Sequence, residues 1–212
     1  MPQRMNPELL RVDELFAEGM SSPVSLMVRS QQVWMLSGIS GTGKSRFLKA
    51  LADLIVHQGS ASLQGRSMNS ISADKWRRKV MYFSAETAWW SDKVAAHFEQ
   101  LPAEEVIRRL GLQPSILQSN PDDLSSGEKQ RLALLRGLQY QPQVLLLDEV
   151  TANLDHQSTL KVEGLLQDYL QDLPQQCAIL WISHSPQQIE RMMSLGCHLE
   201  FNPPSTAAGE SK

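Results

Sequence analysis

Long apolar runs are missing from this 212-residue chain. Stretches such as Val144–Leu147 fall far short of the ~20 residues that a membrane-spanning helix needs. No apolar segment of the signal-peptide type follows residues 1–6, so synthesis and retention in the cytoplasm are expected. Cysteine is scarce: Cys177 and Cys197 form no C-x-x-C pair and lie in or beside apolar, strand-like segments. They read as small buried hydrophobes rather than as metal ligands or a redox pair. An excess of one charge is lacking too, since 20 Lys and Arg against 23 Asp and Glu leave −3, with no long basic run. That argues against a broad nucleic-acid footprint, and no nucleic-acid partner is expected. There are no internal repeats, and the length suits one sizeable core with at most a small appended subdomain.

What is present begins at Val33-Trp34-Met35-Leu36, an apolar run that reads as a buried parallel strand. It leads into Gly38-Ile39-Ser40-Gly41-Thr42-Gly43-Lys44-Ser45, the G-x-x-x-x-G-K-[ST] phosphate-binding loop. Phe47, Leu48, Leu51, Leu54 and Ile55 then recur at helical spacing, predicting a helix that stops near Gly59. Glycines let such a loop wrap phosphate oxygens with backbone N–H groups. Lys44 can reach the β- and γ-phosphates and the Ser45 hydroxyl can ligate Mg²⁺, so the chain is expected to bind a nucleoside triphosphate.

Strands are predicted at Leu9–Phe16, Val24–Val28, Ala61–Leu63 and Val80–Ser84, the last reached through the basic Trp76-Arg77-Arg78-Lys79. From Trp89 to about Asn120 only short helical patterns appear, such as Glu104–Leu110 ended by Gly111, predicting a small helical insert. Ser125 and Glu128 have capping-box spacing, so a helix starts there and carries Leu132, Leu135 and Leu138 on one face. A buried strand at Val144–Leu147 follows, then a helix with Val162, Leu166, Tyr169 and Leu173 on one face. Cys177–Ser183 reads as a strand, Ser185–Leu195 as a helix and Cys197–Phe201 as a last strand; 202–212 reads as a disordered tail. Strands alternating with helices predict an α/β fold with a largely parallel core sheet and an antiparallel N-terminal β region. A single domain is expected over 1–212: a core of about 8–88 and 136–201, with a helical subdomain of about 89–135.

Val144-Leu145-Leu146-Leu147-Asp148-Glu149 brings two carboxylates to the C-terminal end of a strand, where ligands collect in open α/β sheets. Asp148 suits Mg²⁺ and Glu149 can polarise an attacking water. With these residues the chain resembles the nucleotide-binding subunits of ABC transporters. Leu124-Ser125-Ser126-Gly127-Glu128 is similar to the family's signature, Ala152-Asn153-Leu154-Asp155 to its D-loop, and His184 to its switch histidine. Phe16 falls where the family has an adenine-stacking aromatic, a core aromatic being the alternative. The resemblance covers Leu9 to about Phe201 and implies a P-loop NTPase of ABC type, ATP with Mg²⁺ as ligands, and catalytic roles for Lys44, Glu149 and His184. It also implies a homodimer sandwiching two ATPs, with Ser125, Gly127 and Asp155 at the facing nucleotide. A separate integral-membrane permease would hold the chain on the cytoplasmic face of the inner membrane.

Two positions depart from the family pattern. Glu86 stands where the family carries a Mg²⁺-ligating Gln, and Ser126 replaces the first signature glycine. A carboxylate can ligate Mg²⁺ as well as an amide can, so Glu86 is a candidate metal ligand beside Ser45 and Asp148, solvent exposure being the alternative. Trp89 and Trp90 lie where the family receives its membrane partner, and packing of the insert onto the core explains two adjacent tryptophans equally well. Within the family the chain is most similar to compact bacterial ATPases of iron-export and metal-resistance type. A soluble non-transport ABC ATPase, or a regulatory ATP-binding protein with little turnover, is the alternative function.

Overall fold

The computed structural model describes residues 6–172, 176–193 and 196–202. The expectations placed on Leu173 and Leu195, and on the tail beyond Asn202, lie outside the described residues.

Two sheets divide the strands by their burial pattern. β1 (Glu8–Phe16), β2 (Val24–Arg29), β4 (Gln58–Leu63) and β5 (Arg66–Ser67) form an antiparallel sheet in the order β2-β1-β4-β5. In β2, Val24, Leu26 and Val28 are buried while Ser25 and Met27 are exposed, the alternation of a sheet with one face on the core. β3 (Val33–Gly38), β6 (Val80–Phe83), β7 (Val144–Asp148), β8 (Ala178–Ile182) and β9 (Gly196–Phe201) form a parallel sheet in the order β6-β7-β8-β3-β9. Every residue of β7 and β8 is buried, because both faces of this sheet are covered. Val144, Leu146, Leu180 and Ile182 pack toward the antiparallel sheet and α1 (Lys44–Leu51), whereas Leu145, Leu147, Ile179 and Trp181 pack toward the helical side. The period-two alternation of strand side chains thus splits one apolar run between two cores.

The first helix is shorter than its apolar spacing predicts: α1 ends at Leu51 rather than near Gly59. Asp53 enters the left-handed region at φ 56°, and the buried Trp76 donates its indole N–H to the Leu51 carbonyl at 2.8 Å. That bond satisfies one of the carbonyls a helix end leaves free. Trp76 belongs to α2 (Ala73–Lys79), a helix that the sequence reading missed, taking this stretch only as a basic lead-in to β6.

Between Phe83 and Ser126 there is no strand, as expected, only α3 (Glu104–Arg109) and short 3₁₀ turns. Gly111, at φ 72°, ends α3 as predicted, with its N–H on the Arg108 carbonyl at 2.8 Å. α4 (Ser126–Leu138) starts in the predicted capping box and buries Leu132, Leu135 and Leu138. α5 (His156–Asp172) and α6 (Pro186–Met193) complete the helical side. Cys177 is fully buried, which pushes its thiol pKa up to about 11, but Cys197 is only half-buried on the edge strand β9. No helix among the described residues is long and apolar enough to cross a membrane.

Candidate nucleotide site

The loop between β3 and α1 is built on glycine. Gly38 lies at φ 124° and Gly43 at φ 97°. A Cβ on Gly38 would sit 2.1 Å from the Phe201 carbonyl oxygen, and one on Gly43 2.5 Å from Met20 Cα, so neither conformation nor space admits a side chain. Lys44 opens α1 and is 6% exposed. Its Nζ donates to the carbonyls of Gly38 at 2.8 Å and Ile39 at 2.9 Å. Burial pushes its pKa down, opposed by the charges of Glu149 and Asp148.

One residue along, the Ser45 hydroxyl donates to Asp148 Oδ1 at 3.0 Å, joining two residues far apart in sequence. The second carboxylate oxygen, Oδ2, accepts the Tyr82 hydroxyl at 2.6 Å. Sequence reasoning missed Tyr82. Its place depends on the pairing of β6 with β7, where Tyr82 stands opposite Leu146 and so shares a sheet face with Asp148. Burial, with the neighbouring carboxylate, pushes the Tyr82 pKa up.

Glu149 leaves the end of β7 at φ 52°, a left-handed conformation uncommon for a residue with a side chain. Its N–H bonds the Ile182 carbonyl at 3.2 Å, and its Oε1 lies 3.1 Å from His184 Nε2. The turn after Glu149 runs to Asp155, whose carboxylate accepts the Ser158 N–H and hydroxyl, each at 2.8 Å. These bonds hold the Asp155 pKa below the usual carboxylate range. Arg131 of α4 donates to the same Ser158 hydroxyl at 2.7 Å, so the signature helix is tied to the first turn of α5 and, through Ser158, to Asp155. Ser125 caps α4, accepting the Glu128 N–H at 3.3 Å while Glu128 accepts the Ser125 N–H at 3.0 Å and its hydroxyl at 2.7 Å. A Cβ on Gly127 would approach the Leu154 side chain to 3.1 Å, which fits glycine at that contact. Ser126 points outward and is exposed.

Glu86 and Phe16 take part in none of these side-chain bonds. Glu86 is exposed and lines an open groove of about 320 Å³ with Tyr82, Trp90, His97 and Arg136. Among the described residues no three His, Cys, Asp or Glu side chains gather as a metal-ligand set. Phe16 packs half-buried against the core and borders a hollow of about 410 Å³ with Gly19, Arg46 and His57. The two tryptophans differ in burial. Trp89 packs against the core, while Trp90 is 69% exposed, and the Arg136 guanidinium lies 4.7 and 4.9 Å from their ring centroids.

The donor set suits ATP with Mg²⁺: a glycine cradle, a buried ammonium, and a hydroxyl–carboxylate oxygen pair of the kind hard cations take. Residues 21–152, more than half of the chain, match the ABC transporter family. The chain belongs to that family. Members of the ABC family are ATPases that bind ATP. Among its relatives, the probable iron export ATP-binding protein FetA of Escherichia coli K12 is 32% identical over 178 residues, 78% of each chain. The methionine import ATP-binding protein MetN of the same strain is 32% identical over 187 residues, 80% of this chain and 54% of MetN. The molybdenum import ATP-binding protein ModC of Pseudomonas aeruginosa PAO1 is 29% identical over 193 residues, 82% of this chain and 52% of ModC. This ABC chain therefore spans about half the length of the two importers' subunits and most of FetA.

Proposed function

We propose that this chain is the ATP-hydrolysing subunit of a transporter, binding ATP with Mg²⁺ and driving a separate membrane permease from its cytoplasmic face. The observation that carries the reading is the meeting of Glu149 and His184 at 3.1 Å, with the bonded Ser45–Asp148 pair at the end of the same strand. Backbone N–H groups from Gly38 to Ser45 would bind the phosphates. Lys44 would exchange its two loop carbonyls for β- and γ-phosphate oxygens. Ser45 and Asp148 would hold Mg²⁺, which neutralises phosphate charge. Tyr82 keeps Asp148 Oδ2 occupied and Oδ1 turned toward Ser45. Glu149 then accepts the proton of the attacking water, and His184 orients Glu149 and donates toward the γ-phosphate.

The N-terminus of α4, at Ser125 and Gly127, offers N–H groups and the positive end of a helix to an anion held by a second copy. On this reading two chains close on two ATPs, with Asp155 at the junction, and Phe16 stacks on the base. Glu86, whose carboxylate suits a hard cation, is a further candidate Mg²⁺ ligand beside Ser45 and Asp148. The groove that Glu86 lines, with Trp90 at its rim, is the docking place for the permease. Metal export, iron in particular, is supported by the likeness to FetA over most of both chains.

Glu149→Gln tests the mechanism. It should bind ATP, slow hydrolysis by on the order of 10²–10⁴ as loss of a general base implies, and accumulate as an ATP-bound dimer. A monomer under saturating ATP refutes the sandwich. A wild type that binds ATP without turnover refutes the enzyme and leaves a nucleotide-dependent regulator.

A further inference from the structure

Behind Glu149 and His184 runs a chain of buried polar side chains that the mechanism above does not use. The Thr151 hydroxyl donates to Gln188 Oε1 at 3.1 Å, and Gln188 Nε2 donates to Glu163 Oε1 at 3.0 Å. Arg191 closes the far end, with Nε on Glu163 Oε2 at 2.9 Å and Nη2 on Oε1 at 2.8 Å. Gln188 is 1% exposed, Glu163 4% and Thr151 9%. Polar groups this deeply buried are costly unless they are paired, so each bond fixes its partners firmly in place.

The bonds cross three elements: the turn after β7, the helix α6, and the helix α5. Thr151 follows Glu149 by two residues, and Gln188 follows His184 by four. Glu149 and His184 themselves are 38% and 49% exposed at their side chains, so packing does little to hold them at their distance. Glu149 also stands in the left-handed region, a conformation that persists only where surrounding bonds enforce it. At the start of α6, Ser185 accepts the Gln188 N–H at 3.3 Å and donates its own N–H to the Ser183 hydroxyl at 3.1 Å. The backbone carrying His184 is thereby coupled to Gln188, and through Gln188 to the turn carrying Glu149.

We infer that Thr151 and Gln188 are positioning residues for hydrolysis: their buried bond, anchored on Glu163 and Arg191, sets the separation of Glu149 and His184. The inference rests on the ATPase reading above. It governs the rate of the chemical step and leaves nucleotide affinity untouched, since neither residue belongs to the phosphate loop.

The test compares wild type, Thr151→Val, Thr151→Ser, Gln188→Met and the Thr151→Val/Gln188→Met double variant as purified full-length chain. Measured are kcat, KM for ATP, and the unfolding midpoint. Thr151→Val keeps the side chain's shape, so it reports even where Gln188→Met folds poorly. Thr151→Val and Gln188→Met should each lower kcat about tenfold, the scale expected for sub-ångström misplacement of a reacting group, with KM within about twofold. Thr151→Ser keeps the donor and should restore kcat. The double variant should be no slower than Gln188→Met alone, because Gln188→Met already removes the bond that Thr151→Val removes. In a Glu149→Gln background neither change should lower the residual rate further. An unchanged kcat, or an equal fall in the Glu149→Gln background, overturns the inference while wild-type turnover keeps the ATPase reading. A wild type without turnover overturns both.

Discussion

Tyr82→Phe removes the hydroxyl that bonds Asp148 with no loss of ring packing. The Tyr82 hydroxyl donates to Asp148 Oδ2 at 2.6 Å, and Asp148 is 8% exposed. A hydrogen bond to a charged group contributes about 1.5–3 kcal/mol, and here its loss strips a donor from a buried carboxylate, so the upper part of that range applies. In a domain of this length each kcal/mol moves the unfolding midpoint by about 2–4 °C, so a fall of about 5–10 °C is expected. The protein contains its own control. Tyr140 makes the same bond, hydroxyl to the Glu99 carboxylate at 2.9 Å, but at the surface. Water replaces the lost partner there, and Tyr140→Phe should stay within about 0.5 kcal/mol, or about 2 °C. Calorimetry of both variants gives the comparison directly. A second arm reads the site: on the proposed role of Ser45 and Asp148, Tyr82 would hold Asp148 for the metal, so Tyr82→Phe should raise the Mg²⁺ needed for half-maximal binding of a fluorescent ATP analogue. Equal midpoints for the two variants would refute the argument that burial gives the Tyr82 bond its weight.

Lys44→Ala should abolish hydrolysis and weaken nucleotide binding, since it removes the ammonium facing the phosphates; hydrolysis at the wild-type rate refutes the loop's role. Trp90→Ser should reduce co-purification of the membrane subunit with little change in unfolding midpoint, because Trp90 is 69% exposed. A large fall in the midpoint would instead assign Trp90 to packing of the insert.

Motifs whose chemistry is local were legible from the sequence alone. The glycines at 38 and 43 occupy left-handed conformations in the loop, and the capping box at Ser125 and Glu128 starts α4. Both follow from short-range sterics and hydrogen bonding, which a few neighbouring residues determine. The all-buried run of β7 likewise announced a parallel strand covered on both faces. Tertiary structure decided what depends on distant partners. α1 stops at Leu51 because Trp76, from a helix the periodicity did not reveal, caps it from across the fold. Tyr82 reaches Asp148 only through the β6–β7 register, and Glu163 meets Gln188 and Arg191 only because the chain brings α5 and α6 together at that point. The path of the chain also decides that Glu86, after β6, lines a groove with Tyr82 and Trp90. Side-chain spacing fixes local geometry, whereas which buried polar groups meet is set by register and helix packing, and these exist only once the whole chain has folded.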